Sequence, residues 1–328
     1  MSIDALRERV VHTPVQYRAV WLLDEDSFDA LDELVTTDLY LQTAQLAQTL
    51  LLDDGGHIVA DGLVGRREEG FLLALDGVHT ITAVAAQPMH ETHSGIGLHG
   101  PFAWELLGEW LGPDLIGMPY LSSFSHDDAL VLRAGNTGEY GYEVWLPRER
   151  AEGMRQDLYR CGARFDLAAA SKDDLVLAAL ENGFFDLGAE GQRLRDPLAL
   201  QLRWRLSNDK DYRGRDAIER RLANGLRQRV TWLSSSRELA IGGSVEAFGE
   251  TIGEIVHAAY SPRLGRWVAI ANLAIEWAHA GIDGFECAHG DARAAVRTVS
   301  PPLVDNWSLR VSPQRHSYHA REHMELPG

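Results

Sequence analysis

GNTGEYGYEVWLP, residues 135–147, places three glycines in its first seven positions and then runs through an apolar strand to a proline. Just upstream, ALVLRAG (129–135) reads as a strand, and YGYEVWLP (140–147) reads as a second. The stretch NTGE between them is then a tight connection, whose glycines permit positive φ and close backbone approach. Alternation along the second strand puts Glu143 and Trp145 on one face and Tyr140 and Tyr142 on the other. On that parity Tyr142 packs in a core, and Trp145 does so too unless it shares a ligand face with Glu143.

The same kind of reading extends in both directions. Asp26 or Ser27 is placed to cap a short helix through SFDALDELV (27–35). AQTLLLDDGGHIVADGLVGRREEGFLLALDG (47–77) reads as an antiparallel meander broken at DDGG and REEG. FAWELLGEWLG (102–112) and RERAEGMRQDLYRC (148–161) have helical spacing. Ser171 and Asp174 form a capping box for a helix that stops at Gly183, and another helix ends at Asn224-Gly225. From about residue 226 short β runs dominate: LRQRVTWL, TIGEIVHAAY, RWVAIANLAI and AAVRTV. The expected organisation is α+β, with two interwoven domains over 1–225 and a small barrel-type β domain over 226–328. No glycine-rich fingerprint opens a helix after a strand, which argues against a doubly wound nucleotide-binding fold.

Composition narrows the function classes. The net charge of −17 disfavours nucleic-acid partners. No apolar run is long enough to span a membrane, and the first residues lack a signal-peptide pattern. Cys161 and Cys287 stand far apart and form no CxxC, which fits a reducing cytoplasm and two ordinary thiols. His316, His319 and His323 near the end are metal-capable, but a frayed polar tail is the expectation, and no metal is expected. The sequence carries no signal for an oligomeric state.

Six ordered segments carry a resemblance to the aminomethyltransferase family, the glycine-cleavage T-protein and its relatives. GNTGEYGYEVWLP resembles TGYTGExGYEIxLP, LLLDDGGHIVADGLV (50–64) resembles LNxxGGVIDDLIV, and LHGPFAWELL (98–107) resembles a VQGPNA helix start. ALENGFFDLGAEG (179–191) is similar to RLEAGMPLYGxE, and DPLALQLRW and DYRGRDAI are similar to SPLEAGLGW and DFIGREAL. GEIVHAAYSPRLGRWVAIA (253–271) is similar to GxVTSGxxSPxLGxxIALA. The N-terminus matches poorly. The resemblance implies a three-domain cloverleaf with a small C-terminal β-barrel, built around a central hole that holds tetrahydrofolate. It implies that Glu143 binds the pterin ring, a role a carboxylate suits because it accepts two parallel N–H bonds.

Three departures from the family pattern bear on the reaction. Ala60-Asp61 stand where the family has paired aspartates, the first of them its catalytic acid, so Asp61 is the candidate acid. Asn136 replaces a tyrosine expected beside the folate, where it and Tyr142 stand with Glu143 as candidate cofactor contacts, and Ala179 replaces an arginine. Phe184 falls near the cysteine that marks an iron–sulfur-maintenance relative, which disfavours that reading. His57 and His99 are further titratable candidates for assisting a leaving group. The expected function is a tetrahydrofolate-dependent methyl or aminomethyl transferase on a small-molecule substrate, demethylases included. The alternatives are a folate-independent tailoring enzyme on the same fold and a non-catalytic folate-binding module. Folate binding with turnover, no folate binding, and binding without transfer separate the three. No basic docking patch for an acidic lipoyl carrier protein is evident.

Overall fold

The computed structural model describes residues 2–78 and 80–324. Its strands, in chain order, begin with β1 (Val11–Val15), β2 (Arg18–Leu23), β3 (Leu46–Leu52), β4 (Ile58–Arg66), β5 (Phe71–Asp76) and β6 (Gln87–Pro88). They continue with β7 (His93–His99), β8 (Ser122–His126), β9 (Ala129–Arg133), β10 (Gly141–Pro147) and β11 (Ala168–Ala169). The last six are β12 (Gln228–Ser235), β13 (Ser244–Ala247), β14 (Glu250–Ser261), β15 (Arg266–Ala274), β16 (Phe285–His289) and β17 (Ala292–Val299).

Three sheets result. The first is ordered β11-β1-β7-β10-β9-β8, the second β3-β4-β5-β2-β6, and β12-β15-β14-β13-β16-β17 close into a barrel. The first two are interwoven, since the chain passes from β1 in one to β2 in the other and returns at β7. The meander read over 47–77 is β3-β4-β5, and the quoted hairpin is β9-β10.

β10 sits inside the first sheet, and its two faces have different partners. Tyr142, Val144 and Leu146 pack under the helices Ala103–Leu111 and Arg148–Gly162. Trp145, with Leu130 and Leu132 of β9, packs against Val20, Leu63, Leu72 and Ala74 of the second sheet. The face that carries Glu143 is therefore the seam between two sheets. The other side of the second sheet is covered by the helix Phe28–Leu34. Ser27 stands at that helix's N-cap position but its hydroxyl donates to Ala85 O, so the expected side-chain cap is not made. Ser171 and Asp174 do form the reciprocal capping box, and Gly183 ends that helix with φ +80°.

The structure departs from the expected domain plan and from the frayed tail at the same place. The barrel ends at Val299, and the chain then returns to the first sheet. Tyr318 is fully buried there against Phe102 and Phe165, and its hydroxyl donates to Asp166. Glu105 accepts from Tyr318 N at 2.6 Å and from Ser317 Oγ. Buried aromatic area outweighs the polar composition that suggested fraying. His316 Nδ1 accepts from Ser312 N, and His319 lies beside Glu105 and Glu109. The side chain of His323 is outside the described residues.

Candidate functional site

Register alone assembles the centre. On the second sheet Asp61 of β4 pairs with Asp76 of β5, and Asp76 pairs with Arg18 of β2. Directly paired residues share a face, so three charged side chains form one row across adjacent strands. Asp61 enters this row through a bulge. Leu51 pairs with Ala60 but Leu52 pairs with Ile58, leaving Val59 as the extra residue.

Glu143 meets the row from the first sheet. Arg18 binds Asp76 through Nε (2.7 Å) and Nη2 (3.1 Å) and binds Glu143 Oε1 through Nη1 (2.7 Å). Tyr17 O–H donates to the same Oε1 at 3.4 Å. Glu143 Oε2 is buried and makes no hydrogen bond of good geometry, and the buried indole N–H of Trp145 on the same face, equally without one, is the donor that acts on this carboxylate. At the far end Arg205 Nη1 holds Asp61 Oδ1 at 2.5 Å. A second ion pair, Lys172–Asp186 at 2.6 Å, flanks the row, with Lys172 Nζ 4.2 Å from the centre of the Tyr17 ring.

The electrostatics follow from burial. Three carboxylates, Asp61, Asp76 and Glu143, face two guanidinium groups, Arg18 and Arg205. Removal from water pushes Asp61 up to about 6, against the pull of Arg205 and with a further push from Asp76. Glu143 is raised by the same burial, with Arg18 opposing. The row thus favours one added proton or one N–H donor.

The candidate residues divide cleanly. Asp61, Glu143, His99 and Asn136 come together at the seam. His99 shares the face of Glu143, since both it and Gly97, the cross-strand partner of Glu143, are on that parity of β7. Burial holds its imidazole down near 4, so it is neutral at physiological pH, with Nε2 3.5 Å from Thr13 Oγ1. Asn136, Gly135, Gly141, His99 and Glu143 border a small cavity of about 20 Å³, next to one of about 250 Å³ that reaches Asp186 and Arg195. A Cβ on Gly135 would stand 2.6 Å from Gly141 Cα, so the two glycines allow the turn to close on itself. His57 is not at the centre. It lies on the exposed DDGG turn, paired with Asp53 at 3.4 Å and next to Arg221. Tyr142 borders the same small cavity, while its side chain packs in the helix-covered core, 1% exposed and with its hydroxyl unpartnered.

Arg18, Asp76, Arg205, Lys172 and Asp186 were not singled out from sequence. Their shared signal is a charge at the end of an apolar run, as in YRAVWLL and FLLALDG. The second glutamate of the quoted stretch has a different task. Glu139 is buried and accepts from Trp307 N, Ser308 N and Ser308 Oγ, tying the turn to the returning tail.

The pterin expectation can be tested against these groups. Glu143 Oε2, free of any well-formed hydrogen bond, fits one N–H donor. Oε1 is already taken by Arg18, whose planar guanidinium offers the same kind of N–H edge as an aminopyrimidine. A pterin edge on both oxygens requires Nη1 of Arg18 to let go, while Nε and Nη2 keep Asp76.

Comparison with known proteins agrees with this architecture. The family model described as the GCVT N-terminal domain matches residues 5–210, and the glycine cleavage T-protein C-terminal barrel domain matches 227–305. An aminomethyltransferase of Pseudothermotoga lettingae is 24% identical over 296 residues, covering 84% of this chain and 82% of that protein. One from Rubrobacter xylanophilus is 28% identical, covering 85% and 78%. The crystal structure of the glycine cleavage system aminomethyltransferase T from Bartonella henselae superposes with a TM-score of 0.81 at 17% identity, over 92% of this chain and 88% of that one. With both family domains matched in order over most of its length, the chain belongs to the glycine cleavage T-protein family, a family of folate-dependent one-carbon transferases.

Proposed function

We propose that this chain transfers a methyl or aminomethyl group from a small-molecule donor, demethylation included, to tetrahydrofolate at the seam between its first two sheets. The observation that carries the reading is Glu143, a buried carboxylate with one oxygen free of any well-formed hydrogen bond, facing Asp61 and Arg205 across a row of paired charges. When bound, tetrahydrofolate supplies the N5 nucleophile that accepts the one-carbon unit.

The residues divide the remaining work. Glu143 accepts an N–H of the pterin edge at Oε2, and at Oε1 once Arg18 withdraws to Asp76. Asp61, titrating near 6, gives its proton to the departing amine, oxygen or sulfur of the donor. Arg205 fixes the orientation of Asp61 and compensates the carboxylate left behind. The apolar walls of the seam exclude water from the reacting groups. The two unpaired cysteines support a cytoplasmic setting for the reaction.

Anaerobic titration calorimetry with tetrahydrofolate and 5-methyl-tetrahydrofolate tests the reading. The expected result is micromolar binding that Glu143→Gln weakens by about 1.5–3 kcal/mol, the value of a hydrogen bond to a charged group. Equal affinity in Glu143→Gln, or no binding at millimolar ligand, refutes it.

A further inference from the structure

A cavity walled by aromatic rings is bordered by Arg205, the partner of Asp61. It has a volume of about 510 Å³, within the range of small-molecule sites, and lies between the helix end at Gly183, the DPLALQLRW segment and the barrel. Trp204, Trp232 and Phe184 supply its flat walls. Trp204 is 65% exposed, with Arg205 stacked on its ring at 5.0 Å. Trp232 is held by an indole N–H bond to Leu180 O.

Two guanidinium groups border the same space. Arg205 is 5% exposed, and its Nε–H has no partner. Arg229 donates through Nη2 to Ala278 O, and among the described residues no carboxylate pairs with it. In a chain of net charge −17, an arginine left without a carboxylate beside exposed aromatic walls calls for an anion from outside. Gly183 belongs to the shape of the wall, since a Cβ there would meet Pro301 Cγ at 2.6 Å.

We propose that this cavity binds a flat aromatic carboxylate, its ring against Trp204 and Trp232 and its carboxylate on Arg229. Arg205 is common to the cavity wall and to the Asp61 ion pair, so a molecule seated here lies one side chain from the proposed acid. The binding does not rest on the transferase reading.

The test needs no folate and begins with the unaltered protein. Calorimetry compares 2-naphthoate, its neutral analogue 2-naphthamide, and p-aminobenzoylglutamate, which carries the aromatic acid of a folate tail. The expected result is naphthoate binding at about 1 mM or tighter, with naphthamide at least about tenfold weaker, the effect of losing a charge-assisted bond. Arg229→Gln brings naphthoate to the naphthamide level, Arg229→Lys restores part of the difference, and Trp204→Ala weakens both ligands. Equal binding of acid and amide, or no naphthoate binding at 10 mM, about tenfold above the expected constant, overturns the proposal. So does tighter binding of p-aminobenzoylglutamate with displacement of naphthoate, because the cavity then serves the folate tail. Failure of tetrahydrofolate to bind, with naphthoate still bound through Arg229, removes the transferase reading and leaves the cavity assignment in place.

Discussion

Asp61 and Asp76 stand opposite each other on adjacent strands, with Arg205 on one and Arg18 on the other. Burial in this row raises the carboxyl of Asp61, and the facing charge of Asp76 adds to the rise. An acid titrating near 6 is protonated below that pH, so the rate of transfer should fall as pH rises through 6. Asp61→Asn should slow single-turnover transfer by about 10²–10⁴-fold, flatten this limb, and leave ligand affinity nearly unchanged. Transfer at the normal rate in that variant would make Asp61 structural. The residue scale is also where the sequence was least informative. Glu143 was legible because its segment resembles the family's GYE motif, with alternation in GYEVWLP only setting it opposite Tyr142. Arg18 was not, because its meaning comes from pairing with Asp76, 58 residues away, and from a sheet crossing that no local pattern encodes.

At the scale of elements the sequence was a better guide, because each element carried its own punctuation. The capping box at Ser171, the glycine stop at Gly183 and the DDGG and REEG turns all lie where their chemistry placed them. The short strands β13 and β16 escaped notice, since SVEA and FECAH have too few residues to show alternation. The returning tail escaped for a different reason: its anchors are Glu105, Glu139 and Phe165, all on distant elements. Glu139 makes this junction sensitive to pH. Burial lifts its carboxyl from 4.5 to about 7, against its hydrogen bonds and Arg7. The folded state therefore binds the proton more tightly than the unfolded chain, and this contribution to stability is full below about pH 4.5 and lost as pH rises to 7. Glu139→Gln should remove that slope, on the order of 1–3 kcal/mol between the two ends, in urea unfolding across a pH series. A slope identical to that of the parent protein would show that the hydrogen bonds from Ser308 and Trp307 keep Glu139 ionised throughout.

Across the whole molecule one buried arginine joins segments from both ends of the chain. Arg7 reaches Glu181 at 2.6 Å, Thr137 O at 2.8 Å and Asn306 Oδ1 at 2.8 Å. Glu181 in turn accepts from Ser261 Oγ of the barrel at 2.6 Å. Arg7→Met strands a buried carboxylate and should cost about 3–5 kcal/mol in thermal or urea unfolding. Adding Glu181→Leu should recover much of that loss, and no recovery would mean that packing around Arg7, not the charge, is what matters.

The barrel's two chain connections give it a property that a terminal module hung on one linker would lack. The chain enters it at Gln228 and leaves it at Val299, and the exit leads back into the core of the first sheet. Both ends are moored, as the handle of a bucket is, so a swing about a single hinge is closed to it. The Ala247–Glu250 turn carries Phe248 at 93% exposure and is an open target for a protease. A single cut there should give two pieces that separate in detergent yet travel as one body in native buffer. The shorter piece stays fastened by the ladders of β15 and β17 on β12 and of β16 on β13 at one end, and by Tyr318 at the other.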